Sequence, residues 1–110
     1  MDDPGWGPPE ELTGRITVHD EAGGQVLQLT GDLDAPVLQQ FTRDHPMDRL
    51  RILAVDVGEL GYIDSTGLSF LARWAQAARA DGSPAQIRRA TPRFGRVLEL
   101  SGLTPVFELA

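Results

Sequence analysis

A short apolar run, followed by a turn and a helix start, constrains this chain more than any other stretch. Ile52–Val57 is rich in β-branched residues, which predicts a strand buried on both faces. Gly58 and Gly61 then predict a turn. The hydroxyl of Ser65 is suited to cap a helix that runs to about Ala80. The unit predicts an open α/β sheet with a serine at the carboxyl end of a strand, where such folds bind ligands.

The rest of the chain alternates strands with helices. Arg15–His19 and Gln25–Leu29 alternate apolar and polar residues on either side of Gly23 and Gly24, which predicts a β-hairpin with a loop of several residues. The other predicted elements are a helix capped by Asp34 that ends before His45, a strand over 84–90, a helix from Pro92 that ends at Gly102, and an edge strand over 106–109. This order predicts a largely parallel sheet with one antiparallel edge.

Length and charge limit the classes of protein that the chain can belong to. Its 110 residues allow one domain, which we predict over 15–110 after a flexible leader over 1–14 that is rich in proline, glycine and acids. A net charge of −6 repels the phosphates of nucleic acids and of anionic membranes, so neither is an expected partner. The chain has no cysteine, no signal peptide and no run of transmembrane length, which favours a cytoplasmic protein.

The motif from Asp64 to Gly67, D-S-T-G, is the first candidate for chemistry. Taken alone, its simplest interpretation is structural, with Ser65 as a helix cap and Gly67 allowing close packing. A serine hydrolase is rejected because Ile63 stands where the nucleophile elbow has glycine, and because no motif supplies a histidine base.

Asp32 and Asp34 form the second candidate, because they follow an apolar strand as the nucleophile loop of haloacid dehalogenase-type phosphatases does. Pro36 breaks that motif, and no later lysine or acidic pair completes a Mg²⁺ site. Asp34 is also explained as a helix cap. Adjacent parallel strands would nevertheless bring Asp32, Asp34 and Ser65 to one edge of the sheet. The two histidines have no carboxylate spacing that supports a metal site.

Three blocks of the sequence, in order, resemble the STAS domain family of anti-sigma factor antagonists. The segment over 31–34 resembles the family's G-E-L-D loop, with Asp32 in place of glutamate. The segment over 55–68 resembles its central strand and phosphorylation loop. The segment over 96–103, followed by Phe107, resembles its last helix and closing strand. The resemblance implies a STAS-type mixed, mostly parallel sheet of four to five strands, with an N-terminal β-hairpin and three to four helices.

The resemblance also implies a binding switch and not an enzyme. Such an antagonist binds an anti-sigma factor that is also a serine kinase, which releases a sigma factor, until the kinase phosphorylates the residue matching Ser65 and a phosphatase later resets it. Asp32 and Asp34 would lie near the kinase and its bound nucleotide. Asp64, Thr66 and Gly67 would shape the loop that the kinase recognises. No catalytic residue, metal or cofactor is implied for the chain itself.

Two alternatives stay open from the sequence. STAS-type domains also serve as subunits of lipid transporters and of stress-signalling complexes, and some are never phosphorylated. The intact hydroxyl of Ser65 favours the kinase-regulated class. A small nucleotide-binding enzyme or phosphatase that uses Asp32, Asp34 and Ser65 is the least favoured alternative, because the chain has no glycine-rich phosphate loop.

Overall fold

The computed structural model describes residues 12–110, which form a five-stranded sheet and three α-helices. Residues 1–11, most of the predicted leader, lie outside the described residues. The strands are β1 (Gly14–Glu21), β2 (Gly24–Leu33), β3 (Ile52–Ile63), β4 (Gln86–Arg88) and β5 (Glu108–Leu109). The helices are α1 (Ala35–Asp44), α2 (Ser65–Ala80) and α3 (Pro92–Leu100), and short 3₁₀ turns over Met47–Arg49 and Thr104–Val106 precede β3 and β5.

The sheet is mixed, and its strands lie side by side in chain order. β1 and β2 form an antiparallel hairpin, whereas β2, β3, β4 and β5 run parallel to one another. Neighbouring parallel strands require crossover connections, and α1, α2 and α3 supply one each. The predicted mostly parallel sheet with an N-terminal hairpin is therefore confirmed.

The register of the strands gives the sheet an apolar face and an opposite, largely polar face, on which Val26 and Ala54 are buried apolar exceptions. Leu27, Val55 and Ile87 lie in one row across β2, β3 and β4, and all three are fully buried. They belong to one core cluster with side chains from all three helices, so the helices cover this face. Successive side chains of a strand point to opposite faces. The next row therefore lies on the other face, and it is polar: Gln28, Asp56 and Arg88.

Ion pairs link strands and loops on the polar face. The guanidinium of Arg88 contacts the Glu21 carboxylate at 2.9 Å, and this hydrogen bond raises the pKa of Arg88 above its ordinary value. Nε of Arg89 donates to both carboxylate oxygens of Asp56, at 2.9 and 3.0 Å. These groups are partly exposed, so each pair is expected to contribute less than about 1 kcal/mol to folding.

Two local predictions about the strands are wrong. β3 does not end in a turn at Gly58 and Gly61 but continues to Ile63, because its parallel pairing with β2 extends to the end of both strands. The hairpin between β1 and β2 has a two-residue turn and not a loop of several residues, since Glu21 pairs with Gly24. Gly23 permits this tight turn through its positive φ of 93°.

Candidate functional site

The candidate site lies where β2 and β3 end and their helices begin. Leu33 and Ile63, the last residues of the two strands, are paired across the sheet. Asp34 and Asp64 follow them directly, and the backbone N–H of Asp64 donates to the carbonyl of Leu33 at 3.2 Å. The two strand-to-helix connections are therefore neighbours, as expected for loops at the carboxyl ends of adjacent parallel strands.

Asp64, and not Ser65, is the N-cap of α2. Oδ1 of Asp64 accepts a hydrogen bond from the backbone N–H of Gly67 at 2.8 Å, and its carbonyl accepts from Leu68. Asp64 still has the extended conformation of a cap residue, whereas Ser65 is already the first helical residue. The prediction that Ser65 caps the helix is wrong. The hydroxyl of Ser65 is thereby left without a capping role.

Ser65 and Thr66 are exposed at the positive end of a helix of 16 residues. The described residues supply no hydrogen-bond partner for the backbone N–H of either residue. Unpaired N–H groups in the first turn of a helix bind anions, including phosphate. A phosphate on the hydroxyl of Ser65 would therefore meet a favourable local field.

Gly67 allows α2 to approach the strand ends closely. It is buried, and a Cβ atom at this position would lie 2.6 Å from the carbonyl oxygen of Leu33 and 2.7 Å from Cγ1 of Ile63. Both distances are too short for ordinary carbon contacts, and the nearer atom belongs to the backbone. The first turn of α2 is thus held against β2 and β3, which fixes the position of Ser65 relative to Asp34.

Asp32 lies at the rim of the same edge, where its Cα is paired with that of Tyr62. Oδ2 of Asp32 accepts a hydrogen bond from Oγ1 of Thr13 at 2.8 Å, and its backbone N–H donates to the Thr13 carbonyl at 3.2 Å. The segment that enters β1 is therefore anchored beside the site. Thr13 and Tyr62 were not predicted as site residues. Tyr62 is 55% exposed, and its neighbours Gly61 and Ile63 gave no sequence signal that it would lie at the site.

The structure brings all six predicted site residues to this edge. Each lies within four positions of the paired Leu33 and Ile63, on the β2 or the β3 side. On the β2 side these are Asp32 and Asp34, and on the β3 side they are Asp64, Ser65, Thr66 and Gly67. Within residues 12–110, no group of three or more histidine, cysteine or acidic side chains is arranged to hold a metal ion. No helix in the described part of the chain combines the length and apolarity needed to cross a membrane.

Comparisons with known proteins agree with this fold. A family model described as "Mlab, STAS domain" matches residues 16–108. The search of the curated proteins finds no significant match.

Several solved structures resemble the chain, and three of them show the extent of the similarity. The unphosphorylated form of the anti-sigma factor antagonist SpoIIAA has a TM-score of 0.66 at 18% identity, over 86% of this chain and 87% of that one. An anti-sigma factor antagonist from Mycobacterium paratuberculosis has a TM-score of 0.62 at 25% identity, over 87% and 84%. The protein TM1081 has a TM-score of 0.61 at 13% identity, over 100% and 89%.

The fold and the site define a small α/β domain that exposes a serine and a group of carboxylates at one edge of a mixed sheet. The family model covers residues 16–108, nearly the whole described part of the chain. The chain belongs to the STAS domain family.

Proposed function

We propose that this protein is an anti-sigma factor antagonist that is switched by phosphorylation of Ser65. In its unmodified form it binds an anti-sigma factor that is also a serine kinase, and this binding releases a sigma factor. Phosphorylation by the kinase ends the binding, and a phosphatase restores it. The role is one of binding in the cytoplasm, and the chain itself performs no catalysis.

The observation that carries this proposal is the exposed Ser65 hydroxyl on the first turn of α2. A kinase must reach the hydroxyl, and the folded protein must tolerate the product. Ser65 is exposed, while the cap of the helix is supplied by Asp64. A phosphate at this end of a helix is stabilised by about 0.3–1 kcal/mol through the helix dipole. Modification is therefore expected to leave the fold intact.

Charge supplies the reason why binding would end. A phosphate adds about −1.5 to −2 charges at pH 7. Asp34 and Asp64 lie at the neighbouring helix starts, and Asp32 lies on the rim of the same edge. A partner surface that accommodates these three carboxylates would meet a much more negative patch after phosphorylation. The added bulk and the repulsion would then act together at one interface.

Each of the other site residues has a proposed role in the complex. Asp34 contacts the kinase close to its bound nucleotide, and Asp32 extends the same acidic surface. Asp64 and Gly67 hold the first turn of α2 in place, through the cap and through close packing. Thr66 is exposed next to Ser65 and contributes to the surface that the kinase recognises.

The test is an intact-mass assay of the purified protein with ATP, Mg²⁺ and each candidate anti-sigma kinase from the same genome. The expected result is one added phosphoryl group with one kinase, and no addition to Ser65→Ala. Thr66→Ala is the control for the position of the phosphate, because it removes the neighbouring exposed hydroxyl. Weaker recognition should slow its modification, but it should still gain one phosphoryl group. A phosphate on Thr66, or no modification with any kinase, would overturn the switch.

A second candidate function is a STAS interaction subunit of a transporter or stress-signalling complex that is never phosphorylated. The observation that favours it is the matching family model, whose description names Mlab and no antagonist. An unmodified Ser65 in protein isolated from growing and from stressed cells would support this second function.

A further inference from the structure

The end of β3 is paired with another strand on one side only. β2 pairs with β3 from Ile52 to Ile63, whereas β4 pairs with it only over 54–56. Among residues 12–110, no strand lies beside the last six residues of β3 on the β4 side. Gly61 and Tyr62 are exposed there. An exposed strand edge offers backbone N–H and C=O groups to an incoming strand.

Arg89 directly follows β4 and contacts β3 where the pairing of the two strands ends. Its Nε binds the Asp56 carboxylate, its Nη1 lies 3.7 Å from the Glu59 carboxylate, and its side chain lies over Gly58. The Arg89 side chain therefore covers the polar face of β3 at Asp56 and Gly58 and does not pair with the strand. The part that remains open is Leu60–Ile63, which is as long as or longer than the pairing regions of β4 and β5 with their neighbours.

An apolar groove of about 250 Å³ lies between this open edge and α3. Leu60 and Ile63 line its β3 side, and Phe94 and Val97 line its α3 side. A strand edge next to a groove of this kind is the arrangement by which domains bind extended peptides. The edge pairs with the peptide backbone, and the groove accepts alternate side chains.

Charge indicates the kind of peptide. Arg93 is the only charged residue that lines the groove within the described part of the chain. The protein as a whole is acidic, with a net charge of −6, so Arg93 is a basic position on an acidic protein. A basic position next to an apolar groove favours a carboxylate that flanks an apolar side chain.

We propose that the groove between β3 and α3 binds an extended peptide segment of a partner protein. The segment adds as a strand along Leu60–Ile63, places apolar side chains against Ile63 and Val97, and places a carboxylate beside Arg93. The groove does not include Ser65, although its Ile63 end adjoins the candidate functional site, and the inference does not rest on the proposed phosphorylation.

The experiment uses the full chain to select from a display library of random octapeptides, followed by affinity measurements on the selected peptides by fluorescence polarisation. The expected consensus alternates apolar residues and contains an acidic residue. Arg93→Glu should weaken binding by about tenfold or more, as expected for reversal of one side of a charge pair. Arg96→Glu is the matched control, because Arg96 is exposed on the same helix and does not line the groove, and it should change the affinity less than about twofold.

N-methylation of the selected peptide separates strand addition from simple apolar contact. The N–H groups of successive residues in a strand point to opposite sides. N-methylation of the residues whose N–H groups face β3 should therefore abolish binding. N-methylation of the residues in between should leave the affinity unchanged. Arg93→Met is a second variant that keeps the aliphatic stem without the charge. It should bind the selected acidic peptides more weakly than the original protein does.

Several results would overturn the inference. These are the failure to select peptides, equal loss of affinity from both methylation patterns, and unchanged affinity in both Arg93 variants. A nuclear Overhauser contact between the Trp6 indole and the Val97 methyl groups in the full chain would assign the groove to residues 1–11 of this protein. Dissociation of a dimer by Arg93→Glu would assign it to a second copy of the chain. Either of these results would also contradict the proposal that the groove binds a peptide of a partner protein.

Discussion

Asp34 and Asp64 cap neighbouring helices through the same contact. Oδ1 of Asp34 accepts from the N–H of Val37 at 3.2 Å, and Oδ1 of Asp64 accepts from the N–H of Gly67 at 2.8 Å. The carboxylates next to Ser65 therefore also stabilise the helices. A substitution of either aspartate can therefore act through loss of the helix cap or through loss of the negative charge, and the variants must distinguish these two effects.

Asp64→Ala should lower the free energy of unfolding by about 1 kcal/mol, because the N–H of Gly67 loses its acceptor. Asp64→Asn should retain most of the stability, since asparagine caps helices about as well. Urea unfolding measures both. Equal destabilisation by the two variants would contradict the capping role. Because Asp64→Asn removes the charge and keeps the cap, a loss of partner binding in this variant would report the contribution of the charge.

Ser65→Ala should change the free energy of unfolding by less than about 0.5 kcal/mol, as is usual for an exposed site without a special contact. The reason is that Asp64 already supplies the cap. Partner binding should persist and phosphorylation should be lost. Thermal unfolding, mass spectrometry and a binding titration on one preparation test all three. A destabilisation as large as that of Asp64→Ala would indicate that Ser65, and not Asp64, caps α2.

Ser65→Asp should weaken partner binding while the fold is retained, because it adds a negative charge among the carboxylates of the site. Ser69→Asp is the matched control, since it adds the same charge to an exposed position one turn further along α2. The loss of affinity should be larger at position 65 and should shrink at high salt, where exposed charges are screened. Titration calorimetry at two ionic strengths measures this difference. Equal effects from the two variants would exclude a local electrostatic switch.

Gly67→Ala should lower the free energy of unfolding by about 1–3 kcal/mol, because the new methyl group would collide with the backbone of Leu33. Gly95→Ala provides the comparison, since nothing lies within 4 Å of a Cβ atom at that position of α3. It should stabilise the protein by about 0.5–1 kcal/mol through helix propensity. Chemical unfolding of both variants tests the contrast. A neutral Gly67→Ala would mean that α2 is not held closely against the strands.

The helices were predicted well from the sequence because their boundaries depend on local chemistry. Asp34 caps α1 as predicted, α1 ends directly before His45, and α2 ends at Ala80. The end of α3 was also predicted, since Gly102 has a φ of 72°. Caps, prolines and terminal glycines act within a few residues, so a single sequence contains the information.

Two of the three errors, the turn in β3 and the cap of α2, arose where distant contacts decide the conformation. Gly58 and Gly61 indicated a turn, but pairing with β2 keeps β3 extended through both. Asp64 and Ser65 are both good caps, and the hydrogen bond from Asp64 to Leu33 decides between them by holding Asp64 in an extended conformation. The meeting of Asp32, Asp34 and Ser65 at one edge of the sheet follows from the order of the elements, so it could be predicted, whereas the detailed geometry there depends on the pairing of β2 with β3. Their function as a site stays a prediction.

The close contact of Gly67 with the strand ends also determines what a modifying enzyme would have to recognise. Ser65 belongs to the first helical turn of a folded domain and is held there from both sides, by the cap at Asp64 and by the packing at Gly67. An enzyme that modifies this hydroxyl in the folded protein would meet helical backbone, with the side chains of two separate strand-to-helix connections beside it. A free peptide with the sequence of residues 58–72 is therefore expected to be a poor substrate, and the intact domain is the unit of recognition.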